Sequence, residues 1–182
     1  MRHLIPYISK IVSAFKKRDQ RALRKLNDEV MKATAVDCEQ VCFDVVVYSY
    51  VLSKIVSKPR LLGPEFRSAL ISIEHVLDRI EDAIESGNKE EALGLFFELQ
   101  KAIGRLEERD PRFVIGLVTK GKLKMAATLY AQGISLGVAA DITGLEKQEI
   151  LDYAGETMMF DRLKDEKSIA ERMKIARKLL SD

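Results

Sequence analysis

Apolar residues recur along this chain at three- and four-residue intervals, the period of one face of an α-helix. Ile5, Ile8, Ile11, Val12 and Phe15 set a first helix. Lys16-Lys17-Arg18 puts positive charge at its C-terminal end, where the helix dipole is negative. Asp19 reads as the N-cap of a second helix with the stripe Leu23, Leu26, Val30 and Ala33. Thr34-Ala35-Val36-Asp37 has the form of a capping box with Asp in the usual Glu place, opening a segment from Cys38 to Lys58. Val45-Val46-Val47-Tyr48 within it has strand propensity, but the apolar run is too long for a strand and its neighbours are helical. The expectation is a central helix, buried almost all round.

Pro64 opens a fourth helix with Phe66, Leu70, Ile73, Leu77, Ile80 and Ile84 on one side. Gly87 is its stop. Asn88, with Glu91 three residues on, starts a fifth helix whose apolar side is Leu93, Phe96, Phe97, Ala102, Ile103 and Leu106. So short a link makes these two helices antiparallel neighbours. Asp110-Pro111 starts a sixth, Phe113 to Thr119, which Gly121 interrupts or ends. Five of the ten glycines then fall between residues 121 and 155, which predicts shorter helices and a boundary near Lys120. A last amphipathic helix, Lys164 to Leu180, carries Ile169, Met173, Ile175 and Leu179 or Leu180.

Composition narrows the function classes. The 182 residues are 47% hydrophobic and 32% charged, too apolar for a disordered chain. Ten Gly and four Pro argue against a loop-rich all-β fold. Two cysteines exclude a disulfide scaffold and fit a reducing compartment, the cytoplasm. The start is not a signal peptide, and the most apolar window, Val41 to Val56, contains Asp44 and Lys54 and is shorter than the roughly 20 residues of a membrane span. No membrane partner is expected. A net charge of +2 rules out a wholly basic nucleic-acid coat. Charge is nevertheless segregated: residues 1–32 hold nine bases and three acids, and residues 74–110 eleven acids and five bases. Such stretches serve helix packing, partner steering, or simply solvated faces.

Residues 122–155 divide into three helices, Leu123 to Gln132, Leu136 to Thr143 and Leu145 to Tyr153. Gly133 and Gly144 mark turns and Ser135 a cap. Ala140 lies four residues before Gly144, where two crossing helices leave room for a small side chain. Leu145, Ile150 and Tyr153 fall on the inner face of the third helix. This stretch resembles the tri-helical helix-turn-helix of prokaryotic DNA-binding regulators. The pattern departs from that family at Thr143, where an apolar residue is usual. The resemblance implies that the third helix enters the major groove, with Glu146, Lys147, Gln148 and Asp152 towards base edges. Lys147 would then pair with guanine and Gln148 with adenine. Lys120, Lys122, Lys124, Arg162 and Lys164 flank the motif and suit phosphate contacts. Between Asp141 and Glu156, however, five acids face one base. An acidic helix opposes phosphate binding and keeps open a second use of the same fold, the binding of a protein partner.

Other constellations offer less. Cys38 and Cys42 stand at i, i+4, but His3 and His75 are the only histidines and four zinc ligands do not assemble from these spacings. Buried structural cysteines are expected. Glu81-Asp82-Ala83-Ile84-Glu85 and Glu107-Glu108-Arg109-Asp110 together resemble the paired acidic motif of the all-α nucleoside triphosphate pyrophosphatases. That resemblance implies Mg²⁺ on Asp82, Glu85, Glu107 and Asp110. The first motif has Asp82 where Glu is usual, and the second abuts Pro111. On a helical wheel, Glu74, Asp78, Glu81 and Glu85 take a flank about 80–140° from the apolar stripe, towards water.

The sequence therefore predicts an all-α protein: an N-terminal helical bundle, 1–118, and a helix-turn-helix-like subdomain, 120–182, ending in the amphipathic helix. The expected role is a non-enzymatic regulator, a homodimer without cofactor or metal, contacting DNA through Lys122, Lys124, Lys147 and Gln148. The alternatives are a protein-binding adaptor and the Mg²⁺-dependent pyrophosphatase.

Overall fold

In the computed structural model, residues 2–34, 39–108 and 116–162 are described, and every regular element among them is helical. Helix α1 (Ile5–Lys16) buries Ile8, Ile11, Val12 and Phe15, as its spacing predicts. It ends without glycine. Arg18 takes the left-handed conformation (φ 56°), and the Asp19 N–H donates back to the Ala14 carbonyl at 2.9 Å. The guanidinium of Arg18 donates to the Phe15 carbonyl at 2.9 Å and lies 4.8 Å from the Phe15 ring centroid. Asp19 then caps α2 (Gln20–Thr34), accepting from the Ala22 N–H. Leu23, Leu26 and Val30 are buried. Ala33, in the last turn, is exposed instead, since a methyl group gains little by burial.

The Val-rich segment is helix α3 (Gln40–Val56), beginning two residues later than the sequence suggests. It packs against α1, α2, α5 and α6, so burial on nearly every side overrides the strand propensity of its valines. Its polar groups are satisfied inside the core. Asn27 Nδ2 donates to the Val46 carbonyl and to Ser49 Oγ, and Tyr48 Oη to the Phe96 carbonyl. The box at residues 34–37 lies outside the described residues, apart from the helical end at Thr34.

Pro64 begins a 3₁₀ turn, Pro64–Phe66, that leads into α4 (Arg67–Glu85) rather than starting the α-helix itself. All six stripe residues are buried. Gly87 (φ 77°) closes α4, with the Asn88 N–H donating to Ala83 at 2.9 Å. Asn88 caps α5 (Lys89–Glu108) by accepting from the Glu91 N–H. Helices α4 and α5 pair, bridged by Arg79 and Glu98 at 2.6 Å. One expected core residue of α5 is misplaced: Phe97 is 58% exposed. The buried side runs through Ala92, Leu95, Phe96, Leu99, Ala102, Ile103 and Leu106. Phe97 stands about 100° from Phe96 around the helix, beneath the Lys101 ammonium at 4.4 Å.

Helix α6 (Leu117–Ala131) corrects the reading of Gly121. The glycine neither ends nor interrupts a helix. It is buried mid-helix where α6 crosses α3, and a Cβ there would stand 2.8 Å from Val51 Cγ2. The residue is glycine because the Val51 side chain takes the space that a Cβ would need. Helix α6 thus spans two apolar groupings: Leu117, Val118 and Met125 belong to the bundle core, Ala126 and Ala127 to the C-terminal one. The predicted helix 113–119 begins outside the described residues, and the terminal helix 164–180 lies wholly outside them.

Candidate nucleic-acid interface

Beyond α6, Gly133 adopts φ 101° and Ser135 accepts from the Val138 N–H at 3.2 Å, opening α7 (Leu136–Thr143). Gly144 (φ 66°) closes it, donating to the Ala140 carbonyl at 2.9 Å. Thr143 is buried, which its hydroxyl permits by donating to the Ala139 carbonyl at 2.8 Å and accepting from the Leu145 N–H at 3.3 Å. Helix α8 (Lys147–Glu156) starts two residues after the predicted Leu145. Glu146 is its N-cap, and Glu149 returns to accept from the Glu146 N–H at 3.1 Å, completing a capping box.

The three helices share a core rich in alanine: Ala126, Ala127, Ala139, Ala140 and Ala154 around Ile150, closed by Met159 from α9 (Met159–Arg162). Leu145 and Tyr153 pack on it half-buried. All five residues that the spacing places inside the motif, Ala140, Gly144, Leu145, Ile150 and Tyr153, lie at this turn or core.

The exposed first turn of α8 presents Lys147 and Gln148. Two of the nearby acids are engaged with backbone N–H groups in the capping box, which places their charge against the positive helix end. Gln148 Nε2 donates to Asp152 Oδ1 at 2.7 Å. The predicted phosphate contacts do not gather beside this turn. Lys120 is exposed on α6. Lys122 is close enough to lower the pKa of the buried Asp44 on α3. Lys124 lies over the Tyr50 ring of α3, 4.2 Å from its centroid. Tyr50 is in turn within electrostatic reach of Tyr153, about 9 Å further along α8 than Lys147 at 1.5 Å per residue. The side chain of Arg162, and Lys164, fall outside the described residues.

The acidic alternative is dispersed in the same way. The Glu107 carboxylate accepts from the Leu117 N–H and so caps α6; burial raises its pKa, and that bond partly offsets the rise. Asp82 and Glu85 are exposed on α4, while Glu74 pairs with Arg18, just past α1, at 2.7 Å and Asp78 with Lys16 of α1 at 2.6 Å. Asp110 lies outside the described residues. Cys42 is buried with His3 Nε2 3.5 Å from its Sγ; Cys38 is outside the described set. Among the described residues no three His, Cys, Asp or Glu side chains gather as a metal site, and no helix is long and apolar enough to cross a membrane.

Sequence reasoning did not find the surroundings of Tyr50. Tyr50 and Lys54 stand at i, i+4 on α3, a legible pair, but Arg24 and Lys124 join them from helices distant in sequence. Comparison of the chain with protein families, with curated proteins and with solved structures finds no match.

Proposed function

We propose that this protein is a non-enzymatic regulator that contacts DNA through the first turn of α8. The observation that carries the reading is the exposed Lys147-Gln148 pair at the N-terminus of a helix whose opposite face, Ile150 and Ala154, is locked into the three-helix core. Base-reading helices place their N-terminal residues in the major groove in this manner, and the capping-box use of Glu146 and Glu149 reduces the electrostatic objection. Paired half-sites call for a homodimer.

Fluorescence anisotropy with a duplex from the chain's own promoter, at several salt concentrations, tests it. Lys147→Ala and Gln148→Ala should each cost roughly 1–3 kcal/mol and relax specificity. No binding by folded protein at low salt removes the reading. Light scattering should give twice the 20.6 kDa chain mass; a particle of one chain mass at tens of micromolar argues against the dimer.

A second reading, a protein-binding adaptor, is favoured by exposed apolar side chains on the same unit: Val138, Leu151, Met158 and Phe160. Substituting Leu151 and Phe160 with serine would leave DNA affinity intact while abolishing partner capture under that reading.

A further inference from the structure

One face of α5 is exposed and carries an aromatic ring. Gly87, Glu90, Gly94, Phe97, Lys101 and Gly104 follow one another along it at three- and four-residue intervals, starting in the turn after α4. This is the spacing of a seam along which two helices pair. None of the six is buried, and Phe97 leaves 58% of its surface to water. The Lys101 ammonium lies 4.4 Å from the Phe97 ring centroid. Neither Glu90 nor Lys101 forms an ion pair among the described residues. Glycine weakens a helix interior relative to alanine, so a glycine in the middle of a helix calls for a reason. Gly121 has one in Val51. Gly94 and Gly104 have none among the described residues: beyond its own turn of helix, a Cβ at either position would meet nothing within 4 Å.

We infer that this face of α5 binds the same face of a second copy of the chain, antiparallel about a two-fold axis, with each Phe97 seated on Gly94 of the other copy. Two-fold symmetry makes every such contact twice. Aligning Phe97 with Gly94 also sets Lys101 opposite Glu90 and Gly104 opposite Gly87, because the three pairs share one midpoint in the sequence. The charged pairs are then opposite in sign, and glycine stands where the two backbones come close. Other arrangements of the same two faces oppose like charges, which disfavours a pairing. A parallel pair in register sets Lys101 beside Lys101 and Glu90 beside Glu90. An antiparallel pair slid until Phe97 meets Lys101 sets Glu90 against Glu108 and Glu91 against Glu107. Charge thus selects a second copy in one orientation. The seam is about 25 Å long at 1.5 Å per residue, a small interface, so the pairing is weak and reversible. It supplies the dimer that paired half-sites call for, yet it rests on α5 alone and needs no DNA.

Sedimentation equilibrium of the full chain without DNA, from about 5 to 500 µM, tests it. Wild type should pass from one chain mass to two with a dissociation constant on the order of 10 µM. Phe97→Glu and Gly94→Leu should each weaken pairing about tenfold or more. The second fills the socket while raising helix propensity, and circular dichroism checks that both variants are folded. Glu90→Lys alone puts lysine opposite lysine twice, and Lys101→Glu alone puts glutamate opposite glutamate twice. Each should weaken pairing about tenfold. An equimolar mixture of these two variants restores both pairs of opposite charge and should dimerise about as tightly as wild type. Wild type at one chain mass across the whole range overturns the inference and leaves the face to a different occupant, while the anisotropy experiment still decides whether α8 meets DNA. A dimer that folded Phe97→Glu and Gly94→Leu variants keep intact also overturns it, since the interface then lies elsewhere. So does a mixture that pairs no more tightly than its two components.

Discussion

Asp44 puts a carboxyl inside the central helix, where burial raises its pKa to about 6 against a hydrogen bond from Gln40 and the charge of Lys122. In the unfolded chain the same group titrates near 3.8. The folded state holds the proton more tightly, so this group's stabilisation is present in acid and is lost as pH rises from 3.8 through about 6. Asp44→Asn should therefore be more stable than wild type at pH 7, by about 1–3 kcal/mol. The gain should vanish below about pH 4, and urea melts across that range measure it. Gly121 poses a different problem at the same scale. Its added Cβ would meet Val51, a stiff β-branched side chain held in the core. Gly121→Ala should cost about 1–3 kcal/mol by overpacking, despite alanine's better helix propensity. A stability equal to wild type would mean that α3 and α6 do not cross there. The sequence marks this glycine but not its role, because a helix stop and a close crossing both select for a missing Cβ.

Helix ends and crossings decide the C-terminal unit. Gly144 has open space around its Cβ position, so its constraint is the backbone angle alone. Gly144→Val should cost about 1–3 kcal/mol, whereas Gly144→Asn, which tolerates the left-handed region, should cost less. Ala140 is buried against the same core, and Ala140→Leu should cost about 1–3 kcal/mol. Hydrogen exchange should show lost protection after about Ala126, where the apolar side of α6 passes to the smaller core. Protection lost equally in α4 and α5 would show that the two cores open together. The caps at Asp19, Asn88 and Ser135 are legible because each depends on residues three apart in sequence. The end of α1 at Arg18 is not. A non-glycine left-handed residue is held there by contacts to Phe15 and to Glu74, and the second lies on another helix.

Across the whole molecule, the basic N-terminal stretch and the acidic α4 meet each other. Lys16 and Arg18 at the end of α1 pair with Asp78 and Glu74. Part of the charge segregation is thus satisfied within the chain. The Lys16–Asp78 pair is nearly half exposed, so a double-mutant cycle should give less than about 1 kcal/mol, falling with salt. Reversing both residues, Lys16→Asp with Asp78→Lys, should recover most of what either reversal loses.

By itself the sequence determined the helical class, the stripes of α1 and α4, that of α2 up to Val30, the all-round burial of α3 and the turn at Gly144. Each of these is a local matter, set by period, cap chemistry and backbone freedom within a few residues. Tertiary structure decided the rest. Which side of α5 is buried, and hence the exposure of Phe97, depends on the helices packed around it. Whether Gly121 stops a helix or admits a neighbour depends on Val51, seventy residues earlier in the chain. Lys124 stands over Tyr50, not beside Lys147, because α6 crosses α3 at that level. Charge in a sequence is a sum along the chain, but a binding site depends on where distant helices bring those charges together.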